Sequence, residues 1–405
     1  MKDAEIFNLI KAEEKRHEET LDLIASENYP SKAVRDALGS IFVAKYAEGR
    51  PYKRYYGGME NVDKLETLVG ERALKAFNLN PQEWSVNLQP HSGGVANYEI
   101  LRGLLNLEDK ILCLHLPHGG HLSQGSAASL TGHDFKPVYY YLNKNGFLDY
   151  EAIEKLAVEQ KPKLIIAGYT AYPRKIDFKR FSEIAKKIGA YLLTDTSHIT
   201  GLIIGGVHPS PFPWTDVLMT TTHKTLRGPR GAMIICRKEL EQKIFTKVFP
   251  GLQGGPHMHT IAAIGVALKE AVSPAFKKYA EQIIKNSQAL ALELKKYGFN
   301  LISGGTDNHL VLVDLRNKNI TSKSAQELLE SAGIVTNKNT IPYDPGTPFD
   351  PSGVRLGTPA LTTRGMKEKE MRLIAGWIND VITNPTKATE IRKQVQKFSK
   401  KWPLF

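Results

Sequence analysis

The chain has 405 residues, 41% of them hydrophobic, with 54 basic against 42 acidic side chains and a formal charge of +12. That length exceeds one small core and predicts two domains. No apolar run approaches the ~20 residues of a membrane span, and two cysteines cannot build a disulfide framework. The N-terminus also lacks the basic-then-apolar layout of a secretory leader, so the expectation is a cytoplasmic protein whose charge favours anionic ligands.

In chain order, the first predicted element is an amphipathic helix. Ile6, Leu9, Ile10, Glu13, His17, Leu21 and Ile24 recur at helical spacing, which predicts an arm packed on something larger, such as a partner subunit. We read residues 1–45 as this helical arm. Ile41 to Glu60 is rich in Gly, Tyr, Arg and Lys and reads as a functional loop. From about 85 to 240, short apolar runs alternate with helical patterns. The runs are Ile111–Leu114, Lys163–Ala167, Tyr191–Thr194, Val217–Met219 and Ala232–Cys236, and helical patterns fall at 95–106, 150–158 and 178–188. Such runs predict parallel strands buried on both faces, hence an α/β layer. Cys113 and Cys236 fall inside two of the runs and read as buried thiols in a reducing compartment. Residues 46–270 are read as the large domain. Helical patterns over 259–297, one of them bridging the domains, lead to strands at 300–303 and 309–315 and helices near 322–332 and 366–383. These predict a smaller α+β domain over 271–405. Lys387, Arg392, Lys393, Lys397, Lys400 and Lys401 cluster around Ile391, Val395 and Phe398. That spacing reads as a surface helix with a basic outer face in preference to a nucleic-acid site.

The chemistry concentrates at strand ends. Thr220-Thr221-Thr222-His223-Lys224-Thr225 follows the run at 217–219 and delivers an amine to the lip of the sheet. The run at 191–194 delivers Asp195 in the same way. A lysine to form a Schiff base and an acid to pair with a protonated ring nitrogen are what pyridoxal phosphate chemistry needs. His223 and Arg230 are candidate cationic neighbours that would favour the free amine. His198, three residues past Asp195, could hold the acid or contact the cofactor's phenolic oxygen. Ser92-Gly93-Gly94-Val95 opens a helical pattern, where bare N–H groups and the helix dipole suit an anion. His118 and His121 stand three apart without a matching ligand cluster, so an imidazole stacked on a flat cofactor is preferred to a metal. Arg355, in a Gly-flanked strand, suits capture of a carboxylate.

These segments together resemble serine hydroxymethyltransferase, a fold-type I pyridoxal phosphate enzyme, over nearly the whole chain. The resemblance rests on Leu23–Tyr29, Lys45–Gly49, Lys53–Gly58, Gln89–Gly93, His118–Leu122, Thr221–Gly231, Gln253–Pro256, Gly304–Leu310 and Val354–Ala360. It implies a mostly parallel central sheet with helices on both faces, plus a smaller C-terminal α+β domain. It implies pyridoxal 5'-phosphate as a Schiff base on Lys224, Asp195 on the ring nitrogen, and His121 stacked on the ring. Thr170 and His198 would lie near the phenolic oxygen. Ser92, Gly93 and Gly94 would cradle the phosphate, joined by Tyr46, Gly254 and Gly255 of a second subunit in a homodimer. Ser26, Tyr56, His223 and Arg355 would bind the amino acid, Glu48 would act as acid and base, and Asn339 would lie near a pterin. The implied reaction converts L-serine and tetrahydrofolate to glycine and 5,10-methylenetetrahydrofolate, reversibly, within one-carbon and amino-acid metabolism. No metal, membrane or nucleic-acid partner is expected.

Three departures stand out. Gly94-Val95 replaces the family's usual Ser-Gln pair, which predicts weaker cofactor binding that Gly94→Ser with Val95→Gln would strengthen. Thr196-Ser197-His198 replaces Met-Ala-His, and Leu252 stands where glycine is frequent. Two rival readings remain at this stage: a folate-independent threonine aldolase, opposed by Glu48, Tyr56 and Asn339, and a catalytically weakened polyanion-binding relative, opposed by Lys224, Asp195, Glu48 and Arg355.

Overall fold

The computed structural model describes residues 3–347 and 349–404. Contacts group the chain into two units. One comprises Pro30–Thr170 and Lys175–Glu281; the other comprises Met1–Tyr29, Ala171–Arg174 and Gln282–Phe405.

The first unit is built on a seven-stranded sheet. Its strands are β1 (Trp84–Asn87), β2 (Lys110–Leu114), β3 (Lys136–Tyr140), β4 (Leu164–Gly168), β5 (Tyr191–Asp195), β6 (Val217–Thr221) and β7 (Ala232–Arg237). Their spatial order is β1-β7-β6-β5-β4-β2-β3. The pairs β3–β2, β2–β4, β4–β5 and β5–β6 are parallel, and β7 runs against both its neighbours. The mostly parallel sheet expected from the apolar runs is therefore present, as a mixed sheet. β4 and β6 are buried at every position, as strands covered on both faces must be. One face packs Ala96, Ile100 and Leu101 of the helix Gly93–Leu104 and Ile244 of the helix Glu241–Thr246 against Ile111, Ile166, Leu193 and Met219. Cys113 and Cys236 are free thiols inside this layer, and burial pushes both up to about 12.

The second unit carries a four-stranded antiparallel sheet of β8 (Asn300–Leu301), β9 (Leu310–Asp314), β10 (Asn337–Asn339) and β11 (Gly353–Gly357). The order is β8-β9-β11-β10. Val311, Val313, Val354 and Leu356 share one core with Ile374 and Ile378 of the helix Glu368–Thr383 and with Ile391 and Val395 of the helix Ala388–Ser399. The N-terminal helix spans Ala4–Glu18 and stops short of the expected Ile24. Leu21–Asp22 instead pairs in parallel with Ile334–Val335. Leu21 N–H donates to Gly333 O at 2.9 Å and Leu23 N–H to Val335 O at 2.9 Å, and both leucines join the core. Ladder bonds and burial outweigh a helical period that happens to continue. Arg364 closes this region. Its buried guanidinium donates to backbone carbonyls of His17 (3.1 Å), Thr20 (2.8 Å), Ser399 (2.9 Å) and Trp402 (2.8 Å). No helix of the described residues is long and apolar enough to cross a membrane.

Candidate active site

Parallel pairing sets Gly168, Asp195 and Met219 side by side on β4, β5 and β6. Lys224 follows β6 by three residues and is 8% exposed. The turn that carries it is stitched to the turn after β5. Thr225 Oγ1 donates to His198 O at 2.9 Å and accepts Gly201 N–H at 3.0 Å. A Cβ on Gly201 would overlap the Thr225 carbonyl, so only glycine permits this approach. Thr221 N–H adds a bond to Ser197 Oγ at 3.1 Å. The turn that carries the amine is thus held against the end of β5.

Asp195 is enclosed by neutral donors. Oδ1 accepts the Ser197 hydroxyl at 2.6 Å and the Ser197 N–H at 3.1 Å. Oδ2 accepts Gln124 Nε2 at 2.7 Å and Asn97 Nδ2 at 3.2 Å. Asn97 Nδ2 also donates to Ser123 Oγ at 2.9 Å. Ser123 in turn fixes His121, whose Nδ1 accepts the Ser123 N–H at 3.1 Å and meets its hydroxyl at 2.8 Å. A backbone N–H can only donate, so Nδ1 is the lone-pair nitrogen and Nε2 carries the ring proton of the neutral form. Thr170 Oγ1 donates to Gly120 O at 2.8 Å and anchors the same loop. His198 is buried beside Asp195 in the chain. His118 Nδ1 accepts the Leu142 N–H at 3.1 Å, so both histidines of the His118–His121 pair commit one nitrogen to the protein.

His223 is half-buried next to Lys224. Burial first, then the charges of Lys224 and Arg230, push its imidazole down to about 3, so it is neutral at physiological pH. Its Nδ1 and the neighbouring Thr221 Oγ1 are buried without a partner. The helix Gly93–Leu104 starts beside them. A Cβ on Gly93 would lie 2.6 Å from Thr221 Cγ2, which forces the backbone close to β6, whereas a Cβ on Gly94 would meet only Ser123 Cβ at 3.8 Å. The Ser92 side chain makes no cap bond, so the first-turn N–H groups remain for an anion. Gln253 ties the segment before Gly254-Gly255 to this helix start, accepting His91 N–H at 2.9 Å and donating to Gln89 O at 2.8 Å.

A second group stands apart in character. Tyr56 Oη donates to Glu48 Oε2 at 3.1 Å and Tyr46 Oη to Glu48 Oε1 at 3.4 Å. The two tyrosine rings meet edge-on at 5.2 Å. Gly254 and Gly255 lie against them, where a Cβ would come within 3.2 Å of Glu48 Oε1 or the Tyr46 ring. Beneath, buried Arg54 bonds Ala47 O and Gly49 O at 2.9 Å each and pairs with Asp63 (2.9 Å) and Glu66 (2.6 Å). That fixes the backbone on both sides of Glu48, whose half-buried side chain meets the two tyrosines.

The other predicted residues belong to the second unit. Arg355 sits mid-strand in β11 and donates from Nε to Asn337 Oδ1 at 3.0 Å. Burial pushes its guanidinium down to about 10. Ser26 is one residue past Ala25, which packs on Gly357, while Gly357 N–H donates to Leu23 O at 2.7 Å. Ser26 therefore lies near the end of the strand that bears Arg355. Asn339 Nδ2 donates to Thr340 O at 2.7 Å.

Sequence reasoning missed Asn97, Ser123, Gln124 and Arg54 as parts of the site, and gave Ser197 only as a departure. Local signals exist for some of them. Ser197 follows Asp195 by two, the spacing at which an acid bonds the backbone ahead of it. Asn97 lies one helical turn past Gly93 and faces the same way.

The donor set suits pyridoxal phosphate: an amine, an acid beside it, an imidazole of fixed tautomer, unpartnered Thr221 Oγ1 and His223 Nδ1, and a helix start open at Gly94. A sheet of this order, bringing amine and carboxylate to adjacent strand ends, is the frame of fold-type I pyridoxal phosphate enzymes, and that is the class of this protein. The family model described as Serine hydroxymethyltransferase matches residues 1–378. A serine hydroxymethyltransferase of Desulfotalea psychrophila (strain LSv54 / DSM 12343) is 51% identical over 404 residues, covering 99% of this chain and 94% of that protein. The chain belongs to the serine hydroxymethyltransferase family and has that family's pyridoxal phosphate-dependent transferase activity.

Proposed function

We propose that this protein converts L-serine and tetrahydrofolate to glycine and 5,10-methylenetetrahydrofolate, reversibly, with Lys224 as the Schiff-base lysine. The observation that carries this is the Lys224 turn: a buried amine locked by Thr225, Gly201 and Ser197 against the strand that ends in Asp195. Pyridoxal phosphate bound there supplies an electron sink for cleaving a bond at the substrate's α-carbon. The residues do the rest. Asp195 holds the proton of a ring nitrogen, and His121, with Nδ1 occupied, offers a flat ring for stacking. His223, neutral because it is partly buried beside two cations, packs without adding charge. The bare N–H groups from Gly93 onward take a phosphate. Arg355 takes the amino-acid carboxylate and so orients the bond that breaks. Glu48, bridged by Tyr46 and Tyr56, moves a proton at the serine hydroxyl.

The protein is further proposed to act as a homodimer. Ile41, Val43, Tyr46, Tyr52 and Tyr55 are each more than half exposed within one short segment around Glu48. The helix Ala4–Glu18 buries no residue and exposes Ile6, Phe7, Leu9 and Ile10. Apolar surface of that extent marks an interface, and a second copy is the occupant the family resemblance implies. Two free buried thiols suit a reducing compartment such as the cytoplasm. Borohydride reduction followed by peptide mass spectrometry tests the central point, with a phosphopyridoxyl group expected on Lys224. Glycine formation from serine that persists at full rate without tetrahydrofolate would instead support the aldolase reading.

A further inference from the structure

Asp195 faces two demands that conflict. An ionised carboxylate presents about four lone-pair directions, and protein donors take four: two from Ser197, one from Gln124 and one from Asn97. The function proposed above asks the same carboxylate to receive the N–H of a pyridinium ring. One donor has to yield.

Ser197 is poorly placed to do so. Its backbone and hydroxyl both close on Oδ1, and the hydroxyl is itself held by the Thr221 N–H at 3.1 Å. Moving it would disturb the stitch between β5 and the Lys224 turn. Gln124 makes a short bond at 2.7 Å. Asn97 differs in two respects. Its bond to Oδ2 is the longest of the four, at 3.2 Å. Its Nδ2 also donates to Ser123 Oγ at 2.9 Å, so the amide keeps a partner when the bond to Asp195 is lost. Asn97 is fully buried, and its Oδ1 has no partner. Nothing on the oxygen side of the amide therefore sets its orientation. The anion and Ser123 set it.

We propose that Asn97 is an exchangeable donor: it satisfies Oδ2 of Asp195 in the cofactor-free protein and gives up that lone pair to the ring N–H of pyridoxal phosphate. A buried carboxylate left short of a donor is costly, so Asn97 stabilises the protein before the cofactor arrives and opposes its entry slightly. This is a positioning role, and it rests on the assignment of Lys224 and Asp195 as the cofactor pair.

The test compares the full-length parent with Asn97→Ala and Gln124→Ala, each stripped of cofactor and then titrated with pyridoxal phosphate. Melting temperature and dissociation constant are read for each. Asn97→Ala is expected to melt lower without cofactor and to bind pyridoxal phosphate more tightly, by about two- to tenfold, the worth of one hydrogen bond. Gln124→Ala, whose bond persists in both states, is expected to bind more weakly. Should Asn97→Ala fail to fold, Asn97→Ser is read in the same way. Unchanged or weaker binding by the Asn97 variants overturns the exchange. A parent protein that takes up no pyridoxal phosphate overturns the functional reading as well, so the two failures are told apart.

Discussion

Around Asp195, in the first unit, both carboxylate oxygens are held by buried donors of Ser197, Gln124 and Asn97, and Ser123 links Asn97 to half-buried His121. Around Glu48, in the same unit, only the foundation is buried. Arg54 is locked to Asp63 and Glu66, while Tyr46, Tyr55 and Tyr56 stand 55%, 73% and 46% exposed. The contrast teaches where each kind of chemistry is prepared. The proposed cofactor pair, Lys224 and Asp195, is set by strand ends and the turns that follow them. The proposed proton-moving group at Glu48 lies on an open aromatic edge.

Substitutions sharpen this contrast. The largest effect is expected for Lys224→Ala, which removes the amine and should lower turnover roughly a thousandfold or more while removing the cofactor adduct seen by mass spectrometry. Near-normal turnover would break the assignment of the buried region as the chemical centre. Glu48→Gln should reduce turnover by about 10²–10³, yet leave the melting temperature nearly unchanged, because a half-buried carboxylate outside the core contributes little to stability and glutamine keeps an acceptor for a tyrosine. A large drop in melting temperature would show that the open edge is structural after all. Gly201→Ala should destabilise the protein by about 1–3 kcal/mol, through the clash with the Thr225 carbonyl, and urea unfolding measures this. A neutral result would mean that the Lys224 turn is not tightly set.

The smallest effect tests the buried side by pH. Glu99 lies on the helix Gly93–Leu104, is 1% exposed, and neither carboxylate oxygen has a partner. Burial pushes it up to about 8. The unfolded chain releases this proton near pH 4.5 and the fold retains it to about 8. Stability attributable to Glu99 is therefore fully present below pH 4.5 and is lost as pH rises toward 8. Glu99→Met should gain on the parent steadily as pH rises from 4.5 to 8, read by urea unfolding at each pH. Equal stability across that window would refute the burial argument.

The legible part of this molecule was the part written in short-range pattern. Apolar runs located β2, β4, β5, β6 and β7 to within two residues, and the residues after them named Asp195 and Lys224. The pattern misled at Leu21 and Ile24, because a helical period cannot register a parallel partner at Ile334 some 300 residues away. The donors of Asp195 were illegible for the same reason. Asn97 and Gln124 lie 98 and 71 positions from it, and only the sheet order brings them together. Arg54 was quoted within a motif, but its four partners come from a turn and a helix that the sequence does not place.

Arg364 has a consequence for how the protein is made. Its guanidinium needs carbonyls from residues 17–20 and from residues 399–402. The first of these leave the ribosome some 380 residues before the last. At about 5–20 residues per second, the early segment waits roughly 20–80 s for its final partners. Until residues 399–402 emerge, Arg364 is short of the Ser399 and Trp402 carbonyls, so this part of the second unit can form its Leu21–Ile334 pairing before the guanidinium has all its acceptors.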